Sequence, residues 1–283
     1  ANGASATVTI VVTTTAVVTL INTVSVTADQ ADPDVTDNVD EERTVATLPN
    51  LIVRTLKTAE KAVIPGSTIV INDTTTNNGK VSAGASVTRF YLSTDSKFDG
   101  GDTFLGERPI PPLAAKASDS GSTTVTINSA TALGKYFLIA LADATNVVAE
   151  TNNTNKKTQK LTVTRPDLSV SSLKSPSSAA AGSTIVVQDT TSNKAPVPAG
   201  ISTTIFYLST DALLDSGDTL LVSSRAVPAL AAKAKSTGST TVTIPPTTTP
   251  GVYFLLAKAD ADEVVSEIND DNNVRSRKIT ITP

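Results

Sequence analysis

Polar and apolar residues alternate along most of this chain with a period of two. In Gly66-Ser-Thr-Ile-Val-Ile71 that period sets Ile69 and Ile71 on one face of a strand. Ser122-Thr-Thr-Val-Thr-Ile127 alternates in the same way. Tyr136-Phe-Leu-Ile-Ala-Leu-Ala142 is a near-continuous apolar run, the pattern of a central strand buried on both faces. No segment sustains the 3.6-residue period of an amphipathic helix. Pro109-Ile-Pro-Pro112 predicts edge or crossover chain, because proline donates nothing to a ladder. Asp73 to Gly79 reads as a polar turn.

The strand pattern occurs twice. Phe90-Tyr-Leu-Ser-Thr-Asp95 returns as Phe206-Tyr-Leu-Ser-Thr-Asp211, and Gly121-Ser-Thr-Thr-Val-Thr-Ile127 returns letter for letter as Gly238 to Ile244. Such self-similarity marks repeated structural units. Residues 49–165 and 166–283 form the two repeats, each with about seven short strands separated by turns. The expected fold class is all-β: tandem immunoglobulin-like β-sandwiches, arranged as a rod because the linker Thr164-Arg165-Pro166 is short and stiffened by proline. The expected core is Ile69, Ile71, Phe90, Leu92, Val125, Ile127, Leu138 and their second-repeat counterparts. Residues 1–48 carry strand patterns at Ala6–Thr13, within Ala16–Ala28 and at Arg43–Thr47. About three strands cannot make a sandwich alone.

Composition narrows the chemistry. Apolar residues are 39% of the 283 and aromatics only 4%, so aliphatic side chains must fill the cores. His, Cys, Met and Trp are absent, which removes histidine and thiol catalysis, disulfides and the common zinc sites. The net charge of −4 and the absence of a basic, aromatic-laced patch argue against nucleic acid. No apolar run is long enough to span a bilayer.

The carboxylates remain. Asp95, Asp99 and Asp102 recur at the same spacing as Asp211, Asp215 and Asp218. Gly-containing loops of this kind could converge three carboxylates on a hard cation, and Ca²⁺ is the metal expected there if one binds. The alternative is that these Asp residues cap turns. No cofactor is required. A second cluster, Asp260, Asp262, Glu263, Glu267, Asn269, Asp270, Asp271, Asn272 and Asn273, has a sparser counterpart at Asp143, Glu150, Asn152 and Asn153. It belongs at the opposite end of the sandwich from the first; it reads as a solvated turn held by Asn and Asp side chains, the alternative being a Ca²⁺ held at a domain junction. Asn72-Asp-Thr74 and Asn152-Asn-Thr154 fit the glycosylation acceptor pattern. Lys–Asn or Lys–Asp isopeptide bonds would need buried partners.

Both repeats resemble the CARDB domain, a cell-adhesion-related β-sandwich of bacterial and archaeal surface proteins. The resemblance rests on the opening Pro166-Asp167-Leu168, on Tyr207 to Asp211, on Gly217-Asp218-Thr-Leu220, on Tyr253 with Asp260, and on Glu267-Ile-Asn269 with Asn272-Asn273. In the first copy Asn50 stands for Asp167. Residues 1–48 resemble the second half of the surface repeat called DUF11, through Thr7-Val-Thr-Ile, Asn22-Thr-Val-Ser-Val, Asp32-Pro-Asp and Asp37-Asn38. That family closes with a double Asn, whereas Val39 follows Asn38 here. These resemblances imply a non-enzymatic extracellular or cell-surface protein: a stalk, sheath or filament subunit. The alternatives are an adhesion module binding through its loops, or accessory domains of a larger secreted enzyme. Expected partners are neighbouring copies or adjacent domains of a longer chain, since residues 1–48 read as the tail of a domain that begins earlier.

Overall fold

A computed structural model describes residues 7–12, 14–153 and 155–283. The part of the Ala6–Thr13 pattern that falls on Ala6 and Thr13 lies outside the described residues, as does Thr154 of the second acceptor triplet. The chain divides into two compact units. One comprises Ala1–Ala59, Thr68–Thr126 and Tyr136–Lys160; the other comprises Glu60–Ser67, Ile127–Lys135 and Leu161–Pro283.

The N-terminal segment is a two-stranded hairpin. β1 (Val18–Ser25) pairs antiparallel with β2 (Val39–Ala46), and a 3-10 turn, Val35–Asp37, lies between them. Asp34 caps that turn by accepting the Thr36 N–H. Two strands replace the three expected: Thr7–Val12 is not strand. Both faces of the hairpin are open, and Ile21, Val24, Val39 and Val45 are each more than half exposed. Nothing buries the run at Thr7–Val12 either, so its β propensity has no sheet to act through.

In the first repeat the strands are β3 (Leu51–Lys57), β4 (Ala62–Val63), β5 (Thr68–Asn77), β6 (Ser86–Ser93), β7 (Thr103–Ile110), β8 (Ser118–Thr126), β9 (Gly134–Leu141) and β10 (Lys156–Val163). The second repeat has β11 (Leu168–Lys174), β12 (Ser178–Ala180), β13 (Thr184–Asn193), β14 (Ser202–Ser209), β15 (Thr219–Val227), β16 (Lys235–Thr243), β17 (Gly251–Lys258) and β18 (Val274–Thr282). Each repeat makes one three-stranded and one five-stranded sheet. The orders are β3-β5-β8 with β4-β10-β9-β6-β7, and β11-β13-β16 with β12-β18-β17-β14-β15. The expected all-β class stands. The proline-bearing strand β7 is an edge, and the apolar run on β9 sits between two neighbours.

The second repeat shows how the core forms. The two-residue period of β13 sends Ile185 and Val187 inward and leaves Thr184, Val186 and Gln188 outside. They join Phe206, Leu208, Leu221, Val242, Ile244 and Leu255 in one cluster. Every core position expected from the sequence is buried in both repeats. Phe206 and Phe90 are fully inaccessible, and an aromatic ring of that kind stabilises by about 3 kcal/mol or more. Gly182 turns the chain into β13 with φ +78, a left-handed conformation that favours glycine; Gly66 does the same in the first repeat at φ +87.

The polar turn expected at Asp73–Gly79 is a correction. β5 continues to Asn77, and Asp73, Thr75 and Asn77 point inward and are buried. These positions keep the strand period because other side chains satisfy them.

Candidate functional site

Three polar constellations recur in both repeats. The first is a buried ion pair. Arg225 on the edge strand β15 crosses to Asp189 on β13 in a bidentate contact, Nε donating to Oδ1 at 2.7 Å and Nη2 to Oδ2. Nη2 also donates to Thr191 Oγ1 at 3.0 Å, and Nη1 to Ser236 Oγ at 3.2 Å. Asp189 is wholly buried. Arg108 and Asp73 repeat the pair, with Asp119 as a second carboxylate where the later copy has Ser236. The hydrogen bonds to the Asp73 carboxylate, more than the contact with Asp119, hold the Arg108 pKa above its ordinary value. Fork geometry and full hydrogen bonding make such a buried pair tolerable. No sequence motif announces it.

The second is a buried amide at the end of the inner strand. Asn193 Nδ2 donates to the carbonyls of Val197 and Ala231 at 2.7 and 3.2 Å, while its Oδ1 accepts from Ala195 N at 3.1 Å. Asn77 makes the equivalent set with Val81, Ala114 and Gly79. Each Asn ties two loops to a strand end.

The third lies in the loop after β9 and β17. Glu267 accepts the Leu168 backbone N–H through Oε2 and the Asn273 Nδ2 through Oε1 at 3.0 Å. In the first repeat Glu150 Oε2 accepts both the Leu51 N–H, at 2.6 Å, and Asn155 Nδ2, at 2.9 Å. The closing loop thereby pins the opening strand. Burial pushes both glutamates up to about 7, against the lowering effect of those donors. Asp260 is buried, accepts from Val265 N at 3.0 Å, and is raised mainly by burial. Asp143 accepts from Val147 N and Val148 N at 3.2 and 2.9 Å. The sequence names Asn152 and Asn153, but not Asn155, as the first-repeat counterpart of the later closing motif. The structural equivalent of Asn273 is Asn155: Ala142 N bonds Asn155 O as Ala259 N bonds Asn273 O, and the first-repeat loop is one residue shorter between the Glu and this Asn.

The acidic loops after β6 and β14 have their carboxylates facing backbone. Asp95 Oδ1 accepts from Lys97 N, Asp99 Oδ1 from Gly101 N, and Asp102 Oδ2 from Asp99 N, at 2.6, 2.8 and 3.1 Å. Asp211, Asp215 and Asp218 repeat this with Leu213 N, Gly217 N and Asp215 N at 2.8, 2.7 and 2.9 Å. Among the described residues no group of three or more acidic side chains has the geometry to hold a metal ion. β14 and β17 run antiparallel, and Ile205 pairs with Lys258. The loops after them therefore lie at opposite ends of the repeat and build no shared site, as expected.

An aromatic group is confined to the first repeat. The Tyr91 ring stands 4.8 Å from Phe98 and 5.8 Å from Phe104, and the Arg89 guanidinium lies over Phe104 at 5.7 Å. Arg89 Nε bonds Glu107 at 2.8 Å. Phe98 and Phe104 are 40% and 51% exposed. The second copy keeps Tyr207 but has Ile205, Leu214 and Leu220 in place of Arg89, Phe98 and Phe104. Among the described residues no lysine is buried and no helix is long and apolar enough to cross a membrane.

A family profile described as CARDB matches residues 48–160 and again residues 165–277. A comparison with curated proteins finds no match. Among solved structures the chain is similar to the CARDB domain of a Pyrococcus furiosus protein in complex with di-metal ions. The two are 21% identical over 42% of this chain and 90% of that one, with a TM-score of 0.33. It is also similar to red sea bream transglutaminase, 14% identical over 84% of this chain and 32% of that one, with a TM-score of 0.29. A β-glucosidase from Erythrobacter marinus is 12% identical over 41% of this chain and 15% of that one, with a TM-score of 0.31. Matched twice, head to tail, over most of its length, the chain belongs to the CARDB family of small β domains found in cell-surface and adhesion-related proteins.

Proposed function

We propose that this protein is a non-enzymatic structural component of a prokaryotic cell surface, a tandem-repeat stalk, sheath or filament subunit. One observation carries this reading: the buried polar groups shared by the two repeats tie strands and loops to one another. Arg225–Asp189, Asn193 and Glu267–Leu168 recur as Arg108–Asp73, Asn77 and Glu150–Leu51. A spacer needs the same internal ties in every copy and nothing in common at its surface. The N-terminal hairpin is then a partial DUF11-like repeat, completed by strands from an adjacent domain or a neighbouring copy.

The aromatic group around Tyr91, Phe98 and Phe104 favours a second reading, an adhesion module that binds through the first repeat. Exposed aromatic rings with a charged pair beside them are the surface chemistry of recognition. Replacing the first repeat by a second copy of residues 166–283 in the native protein separates the two. A spacer tolerates the exchange, with appendage length and surface display unchanged by electron microscopy. An adhesin loses cell attachment. Loss of surface display in the exchanged protein, with both sandwiches folded, overturns the spacer reading.

A further inference from the structure

Aromatic side chains are scarce in this chain, with four Tyr and six Phe in 283 residues. Three of them converge on the outer face of the five-stranded sheet in the first repeat. Phe90 and Leu92 point into the core, so Tyr91 between them faces outward. Phe104 stands opposite Tyr91 on the edge strand β7, and Phe98 reaches the same ring from the loop between β6 and β7. The two ring pairs are inclined at 53° and 66°, so the rings stand as walls and do not close into a flat stack. The other four Phe are buried or half-buried; Phe98 and Phe104 are exposed. Tyr91, Phe104, Arg89, Glu107 and Gly106 line an open cleft of about 670 Å³, a size usual for a small-ligand site.

The polar wall of this cleft is an ion pair whose charges cancel. Arg89 Nε donates to Glu107 Oε2 at 2.8 Å, and both side chains are partly exposed. That bond leaves the terminal guanidinium N–H groups as donors and the second carboxylate oxygen as an acceptor, side by side. A charged ligand gains little from a neutral pair. A cation also finds a face of Phe104 taken by the Arg89 guanidinium. A ligand with neighbouring hydroxyls gains twice, because each hydroxyl both donates and accepts. The C–H face of a saturated ring adds weak contacts with an aromatic wall. A sugar ring combines the two.

Folding does not require this group. The second repeat builds the same sheet with Ile205, Leu214 and Leu220 in place of Arg89, Phe98 and Phe104. Ser224 pairs with Ile205 where Glu107 pairs with Arg89. The internal ties recur in both copies, whereas the chemistry of the cleft belongs to one. We infer that the cleft at Arg89, Tyr91, Phe98, Phe104 and Glu107 binds a neutral carbohydrate chain, with a sugar ring packed on the aromatic wall and its hydroxyls bonded to Glu107 and Arg89. This names a ligand class for the adhesion reading and rests on that reading.

The test follows amide resonances of the full chain as neutral hexasaccharides of glucose, mannose, galactose and N-acetylglucosamine are added one at a time. At least one sugar moves residues 89–107 saturably and leaves 205–224 in place. The variant Arg89→Ile with Phe98→Leu and Phe104→Leu carries the second repeat's residues and keeps the parent's melting temperature. It binds that sugar at least about tenfold more weakly. If the triple variant does not fold, Arg89→Ile alone takes its place and shows a smaller loss in the same direction. A decaproline peptide probes the other common ligand of aromatic grooves and moves nothing. No saturable shift with any of the sugars, shifts at 89–107 with decaproline alone, or a variant that binds as the parent does would each overturn the site. Attachment of cells displaying the variant separates this inference from the adhesion reading. Attachment lost although no sugar binds the parent overturns the carbohydrate and leaves adhesion standing; attachment unchanged with no sugar bound overturns both.

Discussion

Arg225 lies directly across the bare backbone of Gly238: a Cβ built there would stand 2.5 Å from the arginine Cδ. Gly121 and Arg108 repeat the relationship, with the same hypothetical contact at 2.8 Å. Glycine within a strand is ordinarily unfavourable. Here it clears the path by which an edge-strand arginine reaches the aspartate of the facing sheet. Gly238→Ala should therefore destabilise the chain by about 1–3 kcal/mol, as overpacking does. The arginine is held at both ends and cannot swing away. Denaturant midpoints of Gly238→Ala and of Gly84→Ala provide the comparison, since a Cβ at Gly84 meets nothing within 4 Å. Equal midpoints would refute the packing argument.

The ion pair itself is asymmetric in its consequences. Arg225→Ala strands a fully buried Asp189 and should cost about 3–5 kcal/mol. Replacing both partners with apolar residues of similar volume, Arg225→Met with Asp189→Leu, should recover most of that loss, because no charge is left unpaired. Urea unfolding of the two single variants and the double variant measures the coupling. A double variant no better than Arg225→Ala would show that the pair stabilises through more than charge matching.

Stability should fall as pH rises through the weakly acidic range. Burial raises the Glu150 carboxyl to about 7 from an ordinary 4.5. Below 4.5 the folded and unfolded chains both hold the proton, and the contribution is fully present. Between 4.5 and 7 the unfolded chain has released it while the folded chain retains it, so stability declines. Above about 7 the loss is complete. Glu150 is partly solvated, so its share is about 1 kcal/mol rather than the full linkage value. Glu150→Gln removes that share and keeps both hydrogen bonds, because Leu51 N and Asn155 Nδ2 donate to the same oxygen. Glu267→Gln is the costlier change, since its two donors use different oxygens. Melting temperatures from pH 4 to 8, in chelator, should show a shallower slope for Glu150→Gln; an unchanged slope would remove Glu150 from the account.

Much of this architecture is legible in the chain because burial follows a period of two. Ile69, Ile71, Phe90 and their counterparts are readable as core from alternation alone, and the doubled motifs expose the repeat. Polar burial is what the pattern hides. Asp73 and Thr75 look like turn residues, yet they continue the inward face of β5, since Arg108 arrives from a strand thirty-five residues later. Asn155 was missed for a different reason: loops change length between copies, and a one-residue difference is enough to misalign a short polar motif. The segment Thr7–Val12 has strand composition and no partner, and local propensity alone did not make it a strand.

The turn carboxylates should behave as turn residues. Asp215 Oδ1 accepts Gly217 N at 2.7 Å, and Asp215 N donates to Asp218 at 2.9 Å. Asp215→Ala loses the acceptor and should cost about 1 kcal/mol. Asp215→Asn keeps an oxygen in place and should cost far less. Adding chelator or Ca²⁺ should leave the difference between the two variants unchanged. If Ca²⁺ instead stabilises the parent and Asp215→Asn abolishes that gain, the loop is a cation site after all.

The N-terminal hairpin carries the last prediction. β1 and β2 pair along eight residues each, yet Ile21, Val24, Val39 and Val45 stay exposed, and an isolated two-stranded ribbon is marginal in water. Unpaired edges beside exposed valines are a template for further strands. In dilute solution, protease should cut within residues 18–46 well before it cuts either sandwich, leaving a fragment that spans both repeats. Raising the protein concentration should protect the hairpin if neighbouring copies supply the missing strands, and mass in solution should rise in parallel. Protection that is complete at every concentration, in a chain that remains monomeric, would mean that the hairpin is stable by itself and that no outside strand is needed.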